Sequence, residues 1–280
     1  MTPTTEARTV APASYSLGEL MVAAAAREIR DGDVVFVGMR LPLIAFVVAK
    51  KTHAPGAIGL FENGVVRSTP AAELIYTMAD PPNLLGATQC LDMLGVMSLL
   101  QSGRVDLGFL GAAEVDRFGN LNSTQVRGHG FSRAETAAKT DGALAPVQKL
   151  VRLPGSGGAC DIASLAKRFV VLMEHSKRRL PERVSYITSP GNGEGAGWRS
   201  RVGLPRGGPA AVITTKAVLR FGQEGEAYLA STHPGVSVED VVANTGWKLR
   251  VAEGMCETVP PMAAELAAMR EYDKKGFWTK

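Results

Sequence analysis

The 280-residue chain has little aromatic content, at 6%, four histidines, and three cysteines, Cys90, Cys160 and Cys256, far apart in sequence. The odd count and wide spacing offer neither a C-x-x-C pair nor a metal-ligand pattern, so the thiols read as reduced and structural and no metal is expected. There is no stacking platform, helix-turn-helix or zinc-finger spacing, and the net charge of +4 comes from scattered Lys and Arg rather than a basic tail. The main local groups are Lys177-Arg178-Arg179 and the arginines between 199 and 206. This distribution argues against nucleic acid and for small anionic ligands, or else for plain surface solvation. No apolar run approaches the ~20 residues that span a bilayer. The first 14 residues are rich in Thr, Pro and Ala and lack the basic and apolar regions of a leader, so they read as a disordered tail on a cytoplasmic protein.

What is present is an ordinary globular composition, 45% hydrophobic and 21% charged, enough to bury one core across residues 15–280. Ser16-Leu17-Gly18-Glu19 has capping-box spacing and predicts a helix over 17–30, ended by Asp31-Gly32. Residues 34–37 form a β-branched and aromatic run, Gly38 follows, and Pro42 leads an apolar helix to Lys51. Further strands are expected at 57–61, 105–110 and 169–173, with a helix at 91–100. Strands alternating with helices predict an α/β fold with an open, mostly parallel sheet. Segments 211–214, 218–221 and 227–231 read as a small antiparallel meander in the C-terminal third. A short helix is expected from Ser237, closed by Gly246, and a last one over 262–272.

Chemistry is suggested first by Glu62-Asn63-Gly64, directly after an apolar strand. Asn-Gly favours a reversing backbone, so the carboxylate is displayed at a strand end, where it can act as a nucleophile. Gly155-Ser156-Gly157-Gly158 precedes a helical stretch and exposes backbone N–H groups to an incoming oxygen. The loop through Gly119-Asn120-Leu121-Asn122 and the segment Met173-Glu174-His175 add two more strand-end stretches. In an open parallel sheet such ends converge on one crevice. Glu174 and His175 read either as an acid–base pair or, by preference, as a structural network; Cys160 reads as a small buried thiol. Lys177, Arg178, Arg179 and Arg206 read as phosphate ligands or as an exposed basic face.

With these stretches in order, together with Val37-Gly38, Leu41-Pro42-Leu43-Ile44, Thr188-Ser189-Pro190-Gly191 and Val202-Gly203-Leu204-Pro205, the chain resembles the β subunit of family I coenzyme A transferases. Within that family the β-type chain of glutaconate CoA-transferase is the nearest branch. The resemblance implies the CoA-transferase fold, which is ribose-phosphate-isomerase-like. It also implies CoA transfer between an acyl-CoA, dicarboxylic by nearness to that branch, and a free acid through a thioester on Glu62. On this reading the amides of Gly157 and Gly158 hold the oxyanion, and Gly38, Asn63, Gly64, Asn122 and Ser123 lie around the substrate and CoA. No cofactor is held permanently, the CoA ester being substrate, and an α-type subunit completes an α2β2 assembly. Two departures bear on acyl specificity: Phe61 stands where Ser is usual, and Arg40 stands where a small residue is expected. The stretch from 126 to 154 is longer by roughly fifteen residues than in the glutaconate branch, an insertion expected to shape or cover the acyl pocket. The alternatives are a CoA-ester hydrolase or decarboxylase on the same scaffold, or a non-catalytic metabolite-binding module.

Overall fold

The computed structural model describes residues 14–127, 150–204 and 206–280. The expectations for residues 1–13, for the insertion over 128–149 and for His129 lie outside the described residues. In chain order the first half comprises α1 (Leu17–Ala26), β1 (Val34–Phe36), α2 (Leu41–Lys51), β2 (Ile58–Leu60), β3 (Val65–Arg67), α3 (Pro81–Leu84), β4 (Gln89–Cys90), α4 (Met93–Gln101) and β5 (Leu107–Leu110). Two small antiparallel pairs follow, β6 (Glu114–Val115) with β7 (Leu121–Asn122) and β8 (Gln125–Arg127) with β9 (Leu150–Arg152). The rest is α5 (Ala159–Leu165), β10 (Arg168–Met173), α6 (Trp198–Arg201), β11 (Pro209–Thr214), β12 (Ala217–Phe221), β13 (Ala227–Thr232), α7 (Val238–Ala243), β14 (Arg250–Glu257) and α8 (Ala263–Tyr272).

Ten strands form the main sheet, in the order β14-β13-β12-β11-β10-β5-β1-β2-β3-β4. Its centre, from β11 to β2, is parallel. The expected meander is present as β11, β12 and β13. Two features were not foreseen: β14 adds a parallel strand at one border, and β3 and β4 fold back antiparallel at the other, directly beyond Glu62. The period-2 alternation of strand side chains builds a core on each face. Val35 and Val37 face the layer of α1, α2 and α8, whereas Phe36 faces that of α4, α5 and α7. Gly108 in β5 lets α5 lie close to the sheet, since a β-carbon there would come within 2.2 Å of Ile162 Cγ2.

The capping box forms as read. Glu19 N donates to Ser16 Oγ at 3.1 Å and Ser16 N to Glu19 Oε2 at 2.8 Å, an arrangement worth about 1 kcal/mol. Helix α1 nevertheless ends at Ala26, four residues early, because Ile29 N turns back onto Ala26 O. Two arginines are buried without an acid partner among the described residues. Arg67 donates to the carbonyls of Thr69, Asn83 and Leu85 and so ties down the segment between β3 and β4. Arg199 donates to Gly191, Ala163, Ser164 and Arg206 oxygens. Part of the basic group between 199 and 206 is therefore internal scaffolding and not a surface for anions. Among the described residues no helix is long and apolar enough to cross a membrane.

Candidate active site

The turn that carries Glu62 is fixed from three sides. Phe61 N donates to Val65 O at 2.8 Å and Gly64 N to Phe61 O at 2.9 Å, closing a tight reversal between β2 and β3. Gly64 takes φ +102°, and a β-carbon there would come 2.0 Å from Leu91 O, so the turn is pressed against the entry to α4. Asn63 caps its flank, donating through Nδ2 to Met78 O at 2.7 Å. Phe61 is fully buried in the core shared with α1 and α2. The aromatic at that position thus anchors the turn on one face of the sheet, and alternation sends the half-buried Glu62 side chain toward the other.

On that other face lies the glycine loop before α5. Its position is set by Gly155 N donating to Ser123 O at 2.9 Å and Leu153 N to Thr124 O at 2.8 Å. Ser123 N in turn donates to Thr188 Oγ1 at 2.9 Å. The outcome is one contact across 96 residues of chain: Gly158 N donates to Glu62 Oε1 at 3.0 Å. Gly157 makes no such bond; at φ +49° it supplies the turn that aims the next amide. Any β-carbon on Gly158 would sit 2.5 Å from Met97 Cε and 3.1 Å from Glu62 Oε1. Met97, in α4, was not singled out in the sequence, where it reads only as one apolar residue of a helix.

The remaining sequence candidates divide. Gly38, just past β1, lines a cleft of about 640 Å³ at the carboxyl ends of the parallel strands, together with Arg40, Pro42, Phe109, Met173 and Trp278. Asn122 is a different case. Its Nδ2 donates to Glu114 Oε2, Gln125 O and Ser185 Oγ at 2.7, 2.6 and 3.0 Å, and its Oδ1 accepts from Thr124 N at 3.1 Å. It is completely buried with its amide engaged inside the fold, where it supports the loop that carries Ser123.

Glu174 and His175 do not form a pair. Glu174 is exposed and meets Arg179 at 3.1 Å. His175 is 3% exposed, its Nδ1 2.9 Å from Thr214 Oγ1 and its Nε2 3.3 Å from both Val241 O and Thr245 Oγ1. Burial pushes the imidazole down to about 4, so it is neutral at physiological pH. Burial likewise lowers His233, held by Thr258 and Thr214. Of the cysteines, all free, Cys160 is only half-buried where a buried thiol is expected, while Cys90 and Cys256 are exposed on border strands. Arg206 donates to Leu165 and Gln101 carbonyls, whereas Lys177 and Arg178 are exposed. Among the described residues no group of three His, Cys, Asp or Glu side chains is gathered for a metal.

One backbone feature stands out in the cleft. Arg40 takes φ +68° and ψ −126°, the one positive φ outside glycine among the described residues. For a residue with a β-carbon this costs about 1–3 kcal/mol. Its guanidinium carbon lies 5.3 Å from the centre of the Trp278 ring, and Trp278 packs edge-on to Phe277 with centroids 4.6 Å apart. These aromatics after α8 were not singled out in the sequence.

Comparison with known proteins agrees with this architecture. The family model described as Coenzyme A transferase matches residues 19–244. The chain is 36% identical to the B chain of 3-oxoadipate CoA-transferase from Pseudomonas knackmussii, over 94% of this chain and 95% of that protein. It is 31% identical to the B chain of glutaconate CoA-transferase from Acidaminococcus fermentans, over 92% of each. Among solved structures, glutaconate coenzyme A-transferase from Acidaminococcus fermentans superposes with a TM-score of 0.82 at 29% identity, covering 96% of this chain and 99% of that one. The decarboxylase AibA/AibB superposes at 0.75 with 26% identity, over 94% and 97%.

Proposed function

The chain belongs to the coenzyme A transferase family, as a β-type subunit, and from that premise we propose that it transfers CoA between a dicarboxylic acyl-CoA and a free carboxylic acid through a thioester on Glu62. The observation that carries this reading is the 3.0 Å hydrogen bond from Gly158 N to Glu62 Oε1. A carboxylate needs no base to become a nucleophile. In the first step Glu62 attacks the thioester carbonyl, the C–S bond breaks, and CoA thiolate leaves behind a mixed anhydride. The thiolate then attacks the glutamyl carbonyl, releases the first acid as its carboxylate, and leaves CoA on the enzyme. Negative charge in that second step develops on the oxygen that Gly158 already faces. The donor therefore needs no reorganisation, an effect worth roughly 3 kcal/mol. A second carboxylate reverses the sequence and departs as the new acyl-CoA.

The diacid preference is supported by two relatives whose names specify 3-oxoadipate and glutaconate. Those relatives are each named as one of two kinds of chain, which implies a separate α-type subunit. Such a partner fits the exposed apolar side chains of Leu84, Leu85, Leu91, Met93 and Leu94. Leu91, Met93 and Leu94 lie at the entry to α4 on which the Glu62 turn rests, so a partner seated there would exclude water from the thioester. We read the assembly as α2β2 and its location as cytoplasmic. The test is to co-express the α-type subunit, load the complex with glutaconyl-CoA, 3-oxoadipyl-CoA or acetyl-CoA, reduce with borohydride and map the product by peptide mass. Reduction of Glu62 to the alcohol is expected. Turnover of CoA esters with an unmodified Glu62 would instead favour the hydrolase or decarboxylase reading, for which the likeness to AibA/AibB is the supporting observation.

A further inference from the structure

We propose that Arg40 determines acyl specificity by pairing with the far carboxylate of a dicarboxylic acyl group whose thioester end lies at Glu62; this deepens the transferase reading above and rests on it. The position is the first support. β1 and β2 are in parallel register with Phe36 beside Leu60, and Val37 N donates to Leu60 O at 2.8 Å. Past those paired ends Gly38 follows Phe36 by two residues and Glu62, in the turn to β3, follows Leu60 by two, so both leave the same end of adjacent strands. Strands about 4.8 Å apart and residues spanning at most about 3.5 Å each place Arg40, four residues past Phe36, at the sheet end that carries Glu62.

The second support is the character of the cleft. Arg40 lines it with apolar neighbours Leu41, Pro42, Phe109 and Trp278, a setting in which a carboxylate is poorly accommodated unless a cation meets it. The Arg40 guanidinium has no ion-pair or hydrogen-bond partner among the described residues. Glu174, which also lines the cleft, is engaged by Arg179 at 3.1 Å. Lys280 adds a second cation to the lining. The third support is the backbone: a side chain is kept at φ +68°, where glycine would fit without strain. A planar guanidinium offers paired donors that match a carboxylate and can lie on the Trp278 ring at the same time.

The discriminating experiment compares Arg40→Gly with the native chain, each in complex with its α-type subunit, on glutaryl-CoA and pentanoyl-CoA, two donors of equal chain length. Glycine suits the backbone, so the variant tests the side chain rather than the fold. The expected result is a fall of roughly 30-fold in the ratio of kcat/KM for glutaryl-CoA over pentanoyl-CoA, the size of one lost charge-assisted contact, with partial recovery in Arg40→Lys. An equal loss on both donors would assign Arg40 to the CoA phosphates and overturn the proposal, as would a ratio within twofold of native. Failure of the native complex to form a thioester with either donor would overturn the underlying transferase reading as well, and trapping at Glu62 separates that result from the other two.

Discussion

Glu62 and His175 both stand at the carboxyl ends of strands in one sheet, after β2 and β10, and each drew a chemical reading from the sequence. Their surroundings differ in what is left over. His175 has both ring nitrogens engaged and no route to solvent. Glu62 is half-buried, accepts one hydrogen bond from a backbone amide, and faces glycines with no side chain to block an incoming carbonyl. A titratable group at a strand end is thus only an opportunity. Spare hydrogen-bonding capacity and open approach decide whether it becomes a reactive centre or a rivet.

The sharpest way to break the comparison is to exchange the consequences of mutation. Glu62→Gln keeps the shape and removes the nucleophile, so kcat for CoA transfer should fall by at least ~10³-fold with no shift in the denaturant midpoint. Gly158→Ala comes next. Its β-carbon would collide with Met97 Cε and crowd Glu62 Oε1, moving the amide off the carboxylate, and about 10²-fold should be lost from kcat. Met97→Ala in the same chain should restore part of it; no recovery would mean that the amide geometry, not the crowding, was damaged by other means.

At the other centre the effect should appear in stability. The folded imidazole of His175 lies near 4 and the unfolded one near 6.5, so the unfolded chain binds the extra proton between those values. Stability from this group is complete above about pH 6.5 and is lost as the pH falls toward 4, by about 3 kcal/mol in all. Urea midpoints across that range measure it. His175→Ala should flatten this acid slope while lowering stability at neutral pH by ~2 kcal/mol and leaving the rate per folded molecule unchanged. An acid slope as steep in the variant as in the native chain would assign it to other groups, His233 first. The smallest effect is expected from Cys160→Ala, which should alter kcat by less than about threefold, because the half-buried thiol has no role in the reaction drawn here.

Much of this was legible beforehand, and the omissions have physical causes. The central strands announced themselves as β-branched apolar runs, since a strand covered on both faces is apolar throughout. β14 did not: Arg250–Glu257 is an exposed border strand whose side chains follow no burial period. Glu62 could be read from its turn and Gly158 from its loop, but their contact belongs to the closed sheet and is written in no local pattern. The internal partners of Asn122 could not be read, because a loop asparagine offers the same groups to a substrate as to its own backbone. Arg199 was misjudged because an arginine among arginines gives no sign that its donors are turned inward.

The 96-residue span between Glu62 and Gly158 also has a bearing on how the molecule comes into being. Before those two groups can meet, β1 must pair with β5 and β5 with β10, and each closure fixes a long loop of chain ahead of any gain from packing. Helical signal can return early in refolding, from α1 and α2 alone. The contact between Glu62 and Gly158 cannot, because it joins groups 96 residues apart. On the proposed transferase reading, a newly made chain is therefore inert toward thioesters until that part of the sheet has closed.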